Sequence, residues 1–213
     1  MRLPRLHVVT DDSVLRSPAW EARAIEVLES GGGDLCLHLR GPRTDAATVF
    51  RLARALLSHA RRAGAALFVN DRVDVALAAD LDGVQLGERS LPVGSARALL
   101  APDRWLGASC HSSSCAVAAR AEGADYAFLG TIFPTPSHPG VEGMGREGLA
   151  SALSCLSGFP VLGIGGIGPA SVPGVRGAGA YGVAVVRGVW DARDPAEAVR
   201  RYVSMMDEEG ERA

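Results

Sequence analysis

Eight short apolar runs alternate with helical patterns from one end of the chain to the other, and this alternation restricts the fold more than any other feature. The runs are Leu6–Thr10, Asp34–Leu39, Ala66–Asn70, Gly83–Leu86, Trp105–Cys110, Tyr126–Gly130, Val161–Gly165 and Gly182–Val186. Most are bounded by glycine, proline or a polar residue, as parallel strands buried on both faces are. Between them the spacing predicts helices over Pro18–Ser30, Asp45–Ala63, Asp71–Ala79, Val93–Leu100, Ser114–Glu122, Arg146–Ser157, Pro169–Arg176 and Pro195–Asp207, with Asp71 and Ser114 as starting residues. Eight βα units in 213 residues predict an α/β protein, a single-domain (β/α)8 barrel of TIM type over residues 1–213. A flavodoxin-like sheet would need fewer strands.

The last two runs carry a further signal. Pro160-Val161-Leu162-Gly163-Ile164-Gly165-Gly166 ends in a glycine pair, and Gly182-Val183-Ala184-Val185-Val186-Arg187-Gly188 follows it. Glycines let backbone N–H groups approach an anion closely. In a (β/α)8 barrel the loops after strands 7 and 8 bind phosphate in this way, which points to Gly165, Gly166, Val186 and Arg187.

Composition closes off several functions. The formal charge of -2 argues against nucleic-acid or membrane-surface binding, and the apolar runs are too short for a membrane span. The chain enters its first strand directly, so a cytoplasmic location is the default expectation. It contains no lysine, which removes Schiff-base chemistry and the P-loop lysine. Arginine stays charged near neutrality, so proton transfer falls to other side chains. Cys36, Cys110, Cys115 and Cys155 have no zinc spacing; Cys36 and Cys155 lie in apolar segments and read as buried.

Catalytic side chains of barrels sit at the C-terminal ends of strands. Those ends carry Thr10-Asp11-Asp12, His38-Leu39-Arg40, Asn70-Asp71, Gln85-Leu86-Gly87, Ser109-Cys110-His111, Thr131, Gly165-Gly166 and Val186-Arg187. His7 and His59 read as structural or solvated. The connection Thr131–Gly145 is the longest, rich in proline and glycine, and reads as a lid over the phosphate site.

In this order and spacing, Thr10-Asp11, His38-Leu39-Arg40, Val69-Asn70-Asp71-Arg72, Asp82-Gly83-Val84-Gln85-Leu86-Gly87, Gly107-Ala108-Ser109-Cys110-His111, Phe133-Pro134-Thr135-Pro136-Ser137 and Ile164-Gly165-Gly166-Ile167 resemble the motifs of the thiamine phosphate synthase and TenI (thiazole tautomerase) superfamily. The resemblance covers nearly the whole chain. It implies substrate contacts at Arg40, Asn70, Asp71, Gln85, Ser109, Thr135 and Ser137, and a small-molecule thiazole phosphate as ligand. It leaves a homo-oligomer open.

The superfamily has two activities. The synthase joins a hydroxymethylpyrimidine pyrophosphate to a thiazole phosphate with Mg2+ bound; the tautomerase shifts a proton on a thiazole carboxylate phosphate without metal. Against the synthase pattern, Pro42 or a gap stands for one lysine, Ser90 for the second metal carboxylate and His138 for the lysine of the long loop. Dense positive charge stabilises a pyrophosphate leaving group, and one carboxylate is a weak Mg2+ site. The expectation is therefore a TenI-like thiazole tautomerase with no cofactor. The alternatives are a synthase with Mg2+ on Asp71 and Glu88, and a catalytically silent phosphate-ligand sensor. A sugar-phosphate isomerase barrel would share only the phosphate site. Tautomerases carry a histidine where this chain has Thr131, so His111, His138 and His38 compete as the acid–base group, with His111 favoured through orientation by Ser109.

Overall fold

The computed structural model describes residues 2–136 and 140–207. Eight parallel strands close into a barrel: β1 (Leu6–Val9), β2 (Leu35–Leu39), β3 (Ala66–Asn70), β4 (Gly83–Leu86), β5 (Trp105–Cys110), β6 (Tyr126–Gly130), β7 (Val161–Ile164) and β8 (Gly182–Val185). Each strand pairs with its sequence neighbour, and β8 returns to β1 through Leu6↔Val183, His7↔Ala184 and Val8↔Val185. The helices are α1 (Asp12–Leu15), α2 (Trp20–Gly31), α3 (Ala46–Ala63), α4 (Val73–Ala79), α5 (Val93–Leu99), α6 (Ser113–Ala121), α7 (Gly145–Leu153), α8 (Val172–Gly177), α9 (Arg187–Trp190) and α10 (Pro195–Asp207). No helix among the described residues is long and apolar enough to cross a membrane.

Strand alternation divides the core in two. Leu6, Val8, Leu35, Leu37, Leu39, Leu67 and Val69 point outward and meet the buried stripes of the helices, such as Leu52, Leu56 and Ala60 of α3. Val9, Cys36, Ala66, Phe68, Tyr126, Phe128, Leu162 and Ala184 fill the barrel interior. The same period turns His7 and His38 inward, where both are fully buried. The bulk of these interior side chains makes the barrel a filled core, and the chemistry is left to its rim.

The helix boundaries follow local chemistry. Asp45 caps α3 by accepting from Thr48 N at 2.9 Å, and Gly64 ends that helix in the left-handed region. Two expected starts move. Ser112, not Ser114, caps α6, accepting from Cys115 N at 3.2 Å. Asp71 does not cap α4; its backbone is left-handed at φ 65° and its carboxylate turns away to the β4 loop. Cys36 is buried as expected, but Cys155 is exposed, because α7 ends at Leu153 and the segment beyond it turns at the surface.

Candidate active site

The polar residues foreseen at the strand ends do gather at the C-terminal rim, but they divide into groups with different work. Asp12 is buried and accepts from Arg43 N at 3.1 Å and Thr44 Oγ1 at 2.8 Å, so it braces the connection after β2. Asp11 caps α1 through Ser13 and Val14. Burial works to raise its pKa, but those hydrogen bonds and the charge of Arg187 hold it below the usual carboxylate range. Thr10 and Arg40 lock β1 to β2: Arg40 N donates to Thr10 Oγ1 at 2.8 Å, and that hydroxyl donates to Arg40 O at 2.9 Å. The backbone of Arg40 is thereby fixed while its side chain stays exposed.

Asp71 is exposed at the rim but held by the β4 loop. Its Oδ1 accepts from Gly87 N at 3.0 Å and from the Ser90 hydroxyl. Gly87 N also lies 2.7 Å from Ser90 Oγ. The serine that replaces a carboxylate in the synthase pattern is thus a partner of Asp71. Asn70 precedes it in the chain, and Glu88 follows Gly87 on the loop after β4, where it pairs with His111.

Gln85 is fully buried and donates from Nε2 to Ser109 Oγ at 3.0 Å, while its Oε1 has no partner. Ser109 therefore serves Gln85 and does not orient His111. The ring of His111 is set instead by Gly130 O, 2.9 Å from Nδ1, and by Glu88 Oε1, 3.3 Å from Nε2. The Glu88–His111 pair joins the loops after β4 and β5, a contact between distant segments with no periodic trace in the sequence.

The three candidate histidines part company. His111 is exposed at the rim. His38 lies beneath the rim inside the barrel, where burial, opposed by its hydrogen bond to Asn70, pushes its imidazole down to about 3. A group so depressed does not exchange protons near neutrality, which corrects the expectation for His38. His138 and Ser137 lie outside the described residues. Thr135 is half-buried on the loop after β6.

Gly165, Gly166, Val186 and Arg187 lie just beyond the adjoining ends of β7 and β8, which run in register through Ile164↔Ala184. Gly165 and Gly166 both take positive φ, 99° and 65°. A Cβ on Gly165 would fall 2.8 Å from Thr131 Cγ2, and one on Gly166 would fall 2.6 Å from Pro134 O. The glycines therefore let the loop after β6 lie directly on the loop after β7. Hydrogen bonds from Ile132 N to Ile164 O at 2.9 Å and from Phe133 N to Gly165 O at 3.0 Å seal that contact. Tyr202, unforeseen as a site residue, reaches from α10 to donate to Ile167 O at 2.8 Å.

His7, Cys36 and His38 bring ligand atoms within 4.8 Å of one another in the closed interior. Two of the three are already hydrogen-bonded to each other, so this trio reads as core polarity.

A filled parallel barrel with its polar side chains gathered on the C-terminal rim defines the class, a (β/α)8 barrel of the kind that carries enzymes. The comparisons narrow this class. The family model described as thiamine monophosphate synthase matches residues 6–189. The thiamine-phosphate synthase of Chlorobium luteolum is 39% identical over 206 residues, covering 96% of this chain and 93% of its own. That of Salinispora arenicola is 39% identical over 208 residues, covering 96% and 98%. Among solved structures, the thiamine phosphate pyrophosphorylase from Pyrococcus furiosus superposes with a TM-score of 0.82 at 33% identity, covering 96% of each chain. The 3-hexulose-6-phosphate synthase from Salmonella typhimurium reaches a TM-score of 0.75 at 14% identity, a likeness of fold alone. The chain belongs to the thiamine monophosphate synthase family.

These findings overturn the TenI-like tautomerase expectation, since relatives 39% identical over most of the chain are named thiamine-phosphate synthase. That expectation rested on charged residues missing at aligned positions. In the structure Ser90 hydrogen-bonds Asp71, and Glu88 stands on the same loop.

Proposed function

We propose that this protein is a thiamine-phosphate synthase, a transferase joining a hydroxymethylpyrimidine pyrophosphate to a thiazole phosphate in the cytoplasm. The near-full-length relationship to synthases carries the reading, and the clamped Asp71 supports it. In the reaction the thiazole nitrogen lone pair forms a C–N bond to the pyrimidine methylene. The C–O bond to pyrophosphate breaks, and its electron pair leaves with pyrophosphate. No proton moves in that step, so the chemistry makes no demand for a histidine of neutral pKa.

The residues then take these roles. Gly165, Gly166, Val186 and Arg187 hold the thiazole phosphate, chiefly through backbone N–H groups. Asn70, Gln85, Ser109 and Thr135 contact substrate. Asp71, with Glu88, would hold Mg2+, which when bound offsets negative charge on the pyrophosphate. Arg40 adds positive charge beside it, and its fixed backbone limits the reorganisation this requires. Residues 131–136 of the loop after β6 lie against Gly165 and Gly166 at the edge of the site.

The test is incubation with both substrates and Mg2+. Thiamine phosphate and pyrophosphate are expected in equal amounts, with formation stopped by EDTA and restored by excess Mg2+. No product from folded protein under these conditions would refute the reading.

A further inference from the structure

A chain of hydrogen bonds runs through the barrel interior from its N-terminal end to the rim. His7 Nε2 lies 3.1 Å from Pro4 O, His7 Nδ1 lies 2.8 Å from His38 Nε2, and His38 Nδ1 lies 3.2 Å from Asn70 Oδ1. Both imidazoles are fully buried. Aromatic rings enclose them: Phe68 and Phe128 have centroids 5.2 and 5.4 Å from that of His38, and Tyr126 is 5.3 Å from His7. Asn70, at the end of β3, is only half-buried and stands beside the clamped Asp71.

The direction of this chain follows from one fixed end. Pro4 O can only accept, so His7 Nε2 carries the proton. A neutral His7 then accepts at Nδ1, so His38 donates from Nε2. A neutral His38 in turn accepts at Nδ1, so the Asn70 amide must be turned over, its NH2 replacing Oδ1 opposite the ring; the bond then disfavours the imidazolium, where an accepting Oδ1 would favour it. The reverse polarity would set the His7 Nε2 lone pair against the Pro4 carbonyl in a dry interior, at the cost of an unsatisfied buried acceptor. A charged imidazole would escape this logic, but burial holds both rings well below their ordinary pKa, and the presence of each beside the other disfavours charging His7 further. Amide nitrogen and oxygen are told apart by such networks rather than by shape.

We propose that His7 and His38 are buried positioning residues whose tautomers fix Asn70 with its NH2 toward the barrel and its carbonyl oxygen toward the ligand. A fixed acceptor at the rim selects a substrate ring that offers an amino or N–H donor and rejects one offering a lone pair there. Leaving a buried acceptor unpaired makes such discrimination steep. The tautomer assignment stands independently of the reaction, whereas the role in ligand selection rests on the synthase reading.

Two measurements test the proposal. In histidine-labelled apo protein, long-range 1H–15N spectra are assigned with H7F and H38Q. Protonated Nε2 and unprotonated Nδ1 are expected for both residues. A protonated Nδ1 on His38, or an imidazolium on either residue at pH 7, overturns the proposal even in a protein with no turnover. The second is a double-mutant cycle between His7→Phe and Asn70→Ala, read as KM for the pyrimidine substrate. His7→Phe should raise KM about fivefold with kcat little changed, and add less than about twofold in the Asn70→Ala background, because contacting residues are non-additive. Equal effects in both backgrounds would show that His7 only supports the fold and would overturn the positioning role. Should His7→Phe fail to fold, the spectra of the wild-type protein alone decide.

Discussion

At the scale of single residues, the phosphate reading turns on Gly166. A side chain there meets two obstacles: a positive φ of 65°, and the Pro134 carbonyl 2.6 Å from where Cβ would sit. Holding a non-glycine residue in the left-handed region costs roughly 1–3 kcal/mol. The clash adds to this by pushing the loop after β6 off the loop after β7. Gly166→Ala is expected to keep the barrel by circular dichroism but to raise KM for the thiazole phosphate at least about tenfold, the equivalent of roughly 1.4 kcal/mol. Native KM in the folded variant would remove Gly166 from the phosphate site. Asp71 shows the other face of the residue scale. Its place on the rim was readable from the Asn-Asp pair after an apolar run. Its left-handed backbone and its turn toward Gly87 and Ser90 were not, because those partners belong to the next βα unit.

At the scale of elements, α10 does more than cover the barrel. Its Tyr202 is fully buried, with its phenol held protonated by burial, pushed up to about 12. It donates to Ile167 O directly beyond the glycine pair. Gly188 makes room, since a Cβ there would lie 2.0 Å from the Tyr202 hydroxyl. Tyr202→Phe leaves a buried carbonyl without its donor and should cost about 1 kcal/mol, lowering Tm by roughly 2–4 °C in a chain of this size. If α10 steadies the phosphate loop, KM for the thiazole phosphate rises as well. A lower Tm with unchanged KM would limit the bond to stability. The strands were legible to within a residue because apolar runs end sharply. The four-residue helices α1 and α9 were not, being too short to show a helical period.

At the scale of the whole molecule, the buried histidine pair makes stability depend on acid. Both imidazoles are depressed in the folded state, His38 to about 3, while in the unfolded chain they titrate near the ordinary 6.5. Their contribution is fully present above pH 6.5 and is lost as pH falls from there toward the folded values, since the unfolded chain binds protons that the native state excludes. Each histidine adds a slope of about 1.4 kcal/mol per pH unit in that window. Urea unfolding at pH 7, 6 and 5 should show falling stability, and His38→Gln should flatten the dependence. An equal slope in wild type and variant would show that His38 titrates alike in the folded and unfolded chain.

The sequence by itself determined the barrel, the order of its strands, the rim on which the site lies and the glycine pair after β7, because these depend on periodicity and on backbone freedom that neighbours in the chain encode. It also carried the family resemblance, but the choice between its two branches was misread from single aligned positions and was corrected by similarity over the whole length. Only the tertiary structure decided which rim residues brace buried scaffold, as Asp12 does, and which are held at the exposed surface by a neighbouring loop, as Asp71 is. It alone turned His38 into the core and joined Glu88 to His111. Such assignments depend on partners brought together by barrel closure, and strand alternation at a rim leaves them undetermined until that closure sets which way each side chain faces.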